Sequence, residues 1–265
     1  MERFKVDKVY ITATTPEYAK RLIVDAVCNG RNEYICVSNV RTVEYASTHP
    51  DYAELMNNAY MCLPDGAPLT WLSKLHGRRD VKRTNGPDLF MSMLSKPEMG
   101  IKHFLLGDTD ETLIKIKDLY PNSNIVGSYS PPFTPLEEYN LQTMADMINQ
   151  SDAHIVWISL HAPKQDFLAQ KLQPLLDKKI CIGVGAAFRF ATGVYKQPNN
   201  ILQKMGLSGL FFRKIDWNLL KLYVNHLLSV TYWGGRFSLQ DSRIVCCART
   251  GNARVYHLAN GKEVR

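Results

Sequence analysis

An aspartate held between a proline and a glycine, in Pro64-Asp65-Gly66, is the residue whose setting best suits acid–base chemistry. It follows the apolar run 60–63 and precedes a helical pattern at 67–76, so by default its carboxylate would cap that helix. The proline and glycine, however, fix a tight turn around it, and a cluster of basic residues at 78–83 comes next in the chain. A carboxylate and a guanidinium on neighbouring loops could abstract a proton and bind an anion. From the residues alone, cap and base both stay open.

A second acidic feature, Asp108-Thr109-Asp110, has the spacing of a DxD motif, which can hold a divalent cation between phosphates. It directly precedes a helical pattern at 110–120. Thr109 or Asp110 would cap that helix, and acidic residues suit the positive end of its dipole. We therefore favour capping, with Asp108 and Asp110 as a cation site the weaker alternative. Without a firm metal motif elsewhere, the sequence predicts a metal-independent protein with no cofactor.

The common nucleotide fingerprints, GxGxxG and GxxxxGK[ST], are absent. Glycines do end several apolar runs, at Gly107, Gly183 and Gly185. They would let a phosphate approach the backbone and a helix N-terminus. Glycine is also common at such turns for steric reasons, so this signal is weak.

The elements that must position these residues alternate between strand and helix. Strand-like runs lie at 8–12, 34–39, 103–107, 124–130, 154–160 and 179–185, and helical patterns at 16–30, 110–120, 135–150 and 163–177. This alternation predicts an α/β fold, with a Rossmann-like, mainly parallel sheet covered by helices. Ligands of such sheets bind beyond the carboxyl ends of the strands, so we expect function at the strand-to-helix junctions.

The positive charge is concentrated at the C-terminus. Ten basic but only three acidic residues follow residue 203, which accounts for the whole net charge of +7. We predict a main domain at 1–203 and a small basic appendage at 204–265. Helical patterns at 199–205 and 217–232 combine basic, aromatic and apolar residues, as in a segment at a membrane surface. Packing on its own domain or on a neighbouring subunit is weighed equally, and a hairpin is expected at 242–248 and 253–257.

Composition excludes several classes of protein. No apolar segment of signal-peptide type opens the sequence, and no run of about 18 apolar residues is present. The six cysteines show no CxxC spacing, which favours reduced thiols over disulfides or zinc. An anionic partner is expected, either a membrane surface or a nucleic acid, unless the basic tail serves solubility alone. No nucleic-acid-binding motif accompanies the tail, which favours the anionic membrane surface.

Several short motifs resemble, in order, those of one enzyme family. They are Ser38-Asn39, the PDG turn at 64–66, KRTNGPDL at 82–89, APKQD at 162–166, GVGAAF at 183–188, ATG at 191–193 and MGL at 205–207. Over about residues 8–215 the sequence resembles the WecG/TagA/CpsF bacterial glycosyltransferases, glycosyltransferase family 26. The resemblance implies a Rossmann-like fold and a C-terminal appendage that aids membrane attachment and completes the active site.

The same resemblance implies an inverting sugar transfer. The donor would be a UDP-sugar carrying N-acetylmannosamine, its uronic acid or another hexose, and the acceptor a polyprenyl-diphosphate-linked sugar. Such reactions build teichoic-acid linkage units, capsules and exopolysaccharides. They would place the protein in the cytoplasm, peripherally bound to the inner face of the cell membrane. A homo-oligomer is left open.

Site residues also follow from the resemblance. Asp65 would be the general base, and Arg83 would balance the charge of the departing UDP with help from Lys164. Gln165 completes the catalytic set. The substrate-binding set comprises Ser38, Asn39, Gly66, Asn85, Gly107, Lys164, Gly185 and Arg189.

The sequence departs from the family pattern in three places. Arg189 stands where the family usually has aspartate, KQP at 196–198 replaces RAP, and GLSG at 206–209 replaces GLEW. The extra cation could mean an anionic donor such as a UDP-uronic acid, or equally a changed subunit or appendage contact. A non-catalytic UDP-sugar-binding or scaffold protein is the alternative function, and a nucleic-acid-binding protein a weaker one.

Overall fold

The structure is a computed structural model that describes residues 1–95 and 100–196 and four strands between 237 and 264. The chain divides into two compact units, Met1–Phe212 and Arg213–Arg265, and each is treated by itself below. The boundary predicted at 203/204 lies outside the described residues and stays a prediction. So do the helices predicted at 199–205 and 217–232.

The first unit opens with a hairpin that is separate from the main sheet. Strands β1 (Arg3–Val6) and β2 (Val9–Thr12) pair antiparallel. The predicted strand at 8–12 is therefore confirmed as a strand but lies in a sheet of its own. The Thr12 hydroxyl oxygen accepts a hydrogen bond from the Cys62 N–H at 2.9 Å, which fastens the hairpin to the main sheet.

The main sheet has six strands, all parallel. They are β3 (Glu33–Ser38), β4 (Met61–Pro64), β5 (His103–Gly107), β6 (Ile125–Tyr129), β7 (Ile155–Ser159) and β8 (Ile180–Gly183). Their order is β4-β3-β8-β7-β5-β6. The Rossmann-like α/β fold is thus confirmed. Only β4 was missing from the predicted strands, because its four residues end at a proline and give no alternation to read.

The helices of the first unit are α1 (Pro16–Cys28), α2 (Val40–Thr48), α3 (Pro50–Asn58), α4 (Ala67–Leu75), α5 (Gly86–Ser95), α6 (Asp110–Leu119), α7 (Leu141–Gln150), α8 (Lys164–Leu172) and α9 (Ala187–Ala191). The prediction of one continuous helix at 135–150 is wrong. This segment divides into a 3-10 turn at Leu136–Glu138 and α7, because Asn140 accepts the Thr143 N–H at 3.0 Å and caps α7. The pattern at 163–177 likewise ends as α8 before a 3-10 turn at Gln173–Leu175, where Pro174 has no N–H to continue the helix.

An aromatic cluster in the core ties the helices to the centre of the sheet. The Phe90 ring packs at 5.3 Å from Trp157 and at 5.0 Å from Phe188, so α5, β7 and α9 meet. The Trp157 N–H donates to His103 Nδ1 at 3.1 Å, and burial lowers the pKa of His103 to about 4, so this ring is a neutral acceptor. A Cβ at Gly86 would lie 2.6 Å from the Val184 carbonyl oxygen, so glycine lets α5 approach the end of β8.

The second unit contains strands β9 (Phe237–Gln240), β10 (Arg243–Cys247), β11 (Ala253–His257) and β12 (Glu263–Val264). They form an antiparallel sheet in the order β12-β11-β10-β9. The predicted hairpin at 242–248 and 253–257 is confirmed as β10 and β11. Across the described part of both units, no helix has the length and apolar character needed to cross a membrane.

Candidate functional site

A cavity of about 420 Å³ opens at the carboxyl ends of four neighbouring strands, β4, β3, β8 and β7. Its lining includes Asn39, Arg41, Thr42 and Tyr45 after β3, Tyr52 on α3, Asp65 after β4, His161, Pro163 and Gln165 after β7, and Val184, Gly185 and Ala186 after β8. This size is typical of a small-molecule site. Its place agrees with the expectation that parallel sheets bind ligands at these junctions.

Asp65 does not cap the helix that follows it. Gly66 occupies the N-cap position of α4 with φ of 101°, a conformation that favours glycine, and no side chain caps this helix. The Asp65 N–H donates to the Ser38 carbonyl at 2.7 Å, which fixes the turn against the end of β3. The capping interpretation of Asp65 is therefore wrong, and its carboxylate lines the cavity.

Arg83 pairs with this carboxylate. Its Nε lies 3.3 Å from Asp65 Oδ1, and the two side chains are 30% and 26% exposed. The Thr84 N–H donates to the Pro64 carbonyl at 2.8 Å, which holds the Arg83 segment beside the end of β4. No described residue donates a hydrogen bond to Oδ2 of Asp65, so this oxygen keeps its capacity to accept a proton.

The pKa of Asp65 is raised above its ordinary value. Burial is the largest cause, Arg83 lowers the pKa in part, and the nearby Asp88 raises it further. A carboxylate in this setting is a stronger base than an exposed aspartate, which suits proton abstraction near neutral pH.

Asn39 and Ser38 end β3 with different roles. The Asn39 side chain caps α2 by accepting the N–H groups of Arg41 at 3.0 Å and Thr42 at 3.3 Å, and it lines the cavity. Ser38 is buried, with Oγ 3.1 Å from Cys62 Sγ, and lies behind the lining. The sequence thus placed both residues at the correct junction, but only Asn39 faces the cavity.

Gln165 joins the junctions after β7 and β8. Its Oε1 accepts the Gly185 N–H at 2.9 Å, and Gly185 adopts φ of 60°. The Gly185 carbonyl in turn accepts the Ser159 hydroxyl at 2.6 Å. These bonds fix the backbone at the cavity floor, and both Gln165 and Gly185 line it as predicted.

Besides Ser38, four more predicted substrate-binding residues do not line the cavity: Gly66 at the start of α4, Asn85, Lys164 and Gly107. Asn85 caps α5, accepting the Asp88 N–H at 2.7 Å. Lys164 donates to the Thr134 carbonyl and lies 4.3 Å above the Tyr139 ring. Gly107 lies where a Cβ would come within 2.5 Å of the Ser159 carbonyl oxygen, so steric need explains it.

Arg189 also points away from the cavity lining. Its Nε donates to Asp108 Oδ2 at 3.0 Å, and its NH1 donates to the Tyr195 hydroxyl at 3.2 Å. The extra cation therefore has a carboxylate partner within its own unit. This ion pair explains Arg189 without an anionic donor or a subunit contact.

The DxD segment is a helix start. Thr109 caps α6 by accepting the Thr112 N–H at 3.3 Å, which confirms the capping interpretation. Asp108 Oδ1 accepts the Thr109 N–H at 2.9 Å, while Oδ2 accepts Arg189. Within the described ranges, no group of three or more His, Cys, Asp or Glu side chains could hold a metal ion.

Several lining residues are not among the predicted site residues, including Arg41, Tyr45, Tyr52 and His161. Arg41 and His161 stand in the junctions after β3 and β7, so the junction rule alone could have found them. Tyr45 and Tyr52 lie farther along α2 and α3, and no local signal distinguishes a tyrosine that faces a cavity from one that packs.

Comparison with known proteins identifies relatives of this chain. A relative from Bacillus spizizenii, named N-acetylglucosaminyldiphosphoundecaprenol N-acetyl-beta-D-mannosaminyltransferase, is 25% identical over 207 residues, or 76% of this chain and 79% of its own. Proteins of the same name from Staphylococcus aureus strains MRSA252 and NCTC 8325 are each 25% identical over 191 residues, covering 70% of this chain and 73% of their own.

The model of the glycosyl transferase WecG/TagA/CpsF family matches residues 4–235, which include both the parallel sheet and every residue of the cavity lining. The chain belongs to the WecG/TagA/CpsF family of glycosyltransferases and is an enzyme of that kind.

Proposed function

We propose that the enzyme transfers N-acetylmannosamine, its uronic acid or another hexose from a UDP-sugar to a polyprenyl-diphosphate-linked sugar. The names of its relatives support this class of acceptor and an N-acetylmannosamine donor. At 25% identity the reaction class carries over more firmly than the sugar. The product would be a lipid-linked intermediate of a cell-surface polysaccharide.

The observation that carries the proposal is the Asp65 carboxylate, which lines the cavity, has a raised pKa, and has one oxygen to which no described residue donates a hydrogen bond. Asp65 takes the proton from the acceptor hydroxyl as that oxygen attacks the anomeric carbon. The bond from the anomeric carbon to the UDP oxygen breaks, and its electron pair leaves with UDP. One carboxylate suffices for this single displacement, which inverts the anomeric configuration.

Cations and fixed dipoles would stabilise the leaving diphosphate in our proposal. Arg83 is not a lining residue but pairs with Asp65, which is, and Arg41 lines the cavity itself. Guanidinium groups bind phosphate oxygens through paired, charge-assisted hydrogen bonds. The Asn39 and Gln165 amides would orient the donor. We propose a metal-independent reaction on this basis.

The test is transfer by the Asp65→Asn variant, with UDP-N-acetylmannosamine and an N-acetylglucosaminyl-diphosphoprenyl acceptor. We expect turnover to fall by roughly 10²–10⁴, the contribution of a positioned base. Binding of UDP should change little, because the variant keeps the shape of the side chain. Asp110→Asn, at the exposed start of α6, is the matched control and should keep its turnover. Turnover of Asp65→Asn near that of the wild type would sink the assignment of the base.

The donor is tested separately by thermal shift with a panel of UDP-sugars. A bound ligand raises the apparent melting temperature by mass action, so the preferred sugar should give the largest shift. A larger shift with the uronic acid than with N-acetylmannosamine would identify an anionic donor. No shift with any UDP-sugar would count against the proposed donor class.

We also propose that the basic region 204–265 is an appendage that binds an anionic membrane surface, for which its charge is the support. Co-sedimentation with vesicles containing an anionic phospholipid should retain the full chain, and a chain ending at residue 203 should lose this binding. Tight binding to DNA with no vesicle binding would contradict the proposal.

A further inference from the structure

A buried carboxylate that the proposed mechanism does not use lies directly behind the cavity wall. Asp166 is 1% exposed and accepts a hydrogen bond from the Tyr52 hydroxyl at 2.6 Å. Tyr52 comes from α3 and lines the cavity, while Asp166 lies in the first turn of α8 beside Gln165. Burying a carboxyl group is unfavourable unless its partners compensate, so its presence here calls for a reason.

The Asp166 and Gln165 side chains converge on one point of the backbone at the end of β8. A Cβ built at Gly183 would lie 2.9 Å from both Asp166 Oδ1 and Gln165 Nε2. Glycine at 183 therefore leaves room for two polar head groups side by side. Any larger residue would separate Gln165 from the strand end.

The orientation of the Gln165 amide follows from this arrangement. Its Oε1 accepts the Gly185 N–H at 2.9 Å, so Nε2 is the atom on the Gly183 side, where Asp166 Oδ1 also lies. Asp166 Oδ1 is buried and has no hydrogen bond of good geometry with any described residue. Burial raises the pKa of Asp166 to about 7, although the hydrogen bond from Tyr52 and, to a smaller extent, the Gln165 amide and the Cys36 thiol lower it.

We propose that Tyr52 and Asp166 are a positioning pair for this transfer reaction. Tyr52 holds Asp166 by its hydrogen bond, and the negative Asp166 carboxylate beside Gln165 Nε2 favours the amide orientation in which Oε1 accepts the Gly185 N–H. Gln165 in turn fixes the Gly185 backbone in the cavity lining. Neither member of the pair touches the reacting atoms. The inference rests on the proposed function, because Gln165 is taken to contact the substrate.

Tyr52→Phe tests the proposal with little disturbance of packing. It removes only the hydroxyl and keeps the ring contacts with Tyr45 at 5.2 Å and Phe167 at 5.5 Å. We expect kcat/KM to fall about 10-fold in the wild-type background and less than about 2-fold in a Gln165→Ala background, as for residues that act through one another. Equal falls in the two backgrounds, or no fall in the wild type, would overturn the proposal.

Tyr34→Phe is the matched control. Its hydroxyl is also buried and donates to the Leu55 carbonyl at 2.7 Å, so it forms this hydrogen bond with neither Asp166 nor Gln165. Both variants lose one buried hydrogen bond, so their melting temperatures should fall similarly, whereas only Tyr52→Phe should lose kcat/KM. A similar loss of kcat/KM in Tyr34→Phe would reduce Tyr52 to a structural role and overturn the proposal.

A readout that needs no turnover separates this proposal from the proposed function. Hydrogen exchange of the Gly185 amide, followed by NMR, should become about 10-fold faster in Tyr52→Phe and in Asp166→Asn, and stay unchanged in Tyr34→Phe. A wild-type chain without transferase activity would contradict the proposed function and leave this measurement intact. Unchanged Gly185 exchange in both Tyr52→Phe and Asp166→Asn would overturn the positioning pair.

Discussion

Two aspartates, Asp65 and Asp108, each follow a strand of the same parallel sheet and each pair with the Nε of an arginine from farther along the chain. Asp65 meets Arg83 at 3.3 Å and Asp108 meets Arg189 at 3.0 Å. By residue type and chain position the two pairs are alike. From the sequence, Asp65 could be a cap or a base, and Asp108 could be a ligand of a cation or part of a capped helix start.

Their surroundings separate them. The Asp108 side chain is 5% exposed, and Thr109, Thr112 and Arg189 donate to its oxygens. Asp65 keeps 26% of its side-chain surface, and of the described residues only Arg83 bonds to its carboxylate. A carboxylate whose oxygens are engaged holds the fold, whereas one with an unoccupied oxygen towards a cavity is available for chemistry.

Removing the arginine of each pair should give the largest contrast. Arg83→Met is expected to lower kcat/KM by roughly 10²–10³, since it removes a cation beside the reacting atoms. Arg189→Met should lower it by less than about 10-fold, because its partner Asp108 does not line the cavity, whereas Asp65, the partner of Arg83, does. Transfer assays with the same donor and acceptor measure both. Equal losses would break the distinction between the two pairs.

The pH dependence of activity should sharpen the contrast. The base works deprotonated, so activity is lost as pH falls through the pKa of Asp65, which burial raises. The acid limb of kcat/KM should therefore lie above the range of an ordinary aspartate. Arg83 lowers this pKa, so the limb should move to higher pH in Arg83→Met and stay in place in Arg189→Met. A limb that moves in neither variant would assign the titration to another group.

Substituting the two aspartates should affect stability in the opposite order from activity, with the larger loss at Asp108. Asp108→Asn weakens a charge-assisted bond to a partly exposed arginine, which we expect to cost about 1 kcal/mol. That corresponds to a fall in melting temperature of about 2–4 °C. The raised pKa of Asp65 means that its ionised form is less favourable in the folded chain as pH rises through that pKa. Asp65→Asn should therefore leave the melting temperature at pH 7 unchanged or raise it.

Much of the fold could be predicted because hydrophobic periodicity is local. Alternating runs and helical stripes located five strands of the parallel sheet. Two exceptions have clear physical reasons: β4 is too short to show alternation, and Asn140 interrupts the helical pattern to cap α7. Helices α2, α3, α5 and α9 were not predicted either. The antiparallel pairing of β1 with β2 was not predicted, because the pattern at 8–12 identifies only β2 and not its partner strand β1.

The site was predicted less completely, because the direction of a side chain is set by contacts distant in sequence. The junction rule and the motifs brought Asn39, Asp65, Gln165 and Gly185 to one cavity. They could not tell that Arg189 would turn to Asp108, 81 residues away. Nor could they tell that Tyr52 would reach Asp166, 114 residues away, from another helix.

Lys164 allows the same comparison for a cation that has no aspartate partner among the described residues, and its substitution should change activity the least. It stands in sequence between Pro163 and Gln165, which both line the cavity, yet its amine donates to the Thr134 carbonyl above the Tyr139 ring. Lys164→Met keeps the apolar stem and should change kcat/KM by less than about 3-fold, since the lost contacts are partly exposed.

Arg41 is the matched cation on the cavity side, because its side chain lines the cavity and no described residue forms an ion pair with it. Arg41→Met should raise the KM of a diphosphate-bearing substrate by about 10-fold, the effect of losing one charge-assisted hydrogen bond. Titrating each substrate in turn shows which diphosphate Arg41 meets. If Lys164→Met raised KM as much as Arg41→Met, lying in the cavity wall would not determine which charged residues contribute to the reaction. The different roles assigned to Asp65 and Asp108 rest on the same criterion and would then need another explanation.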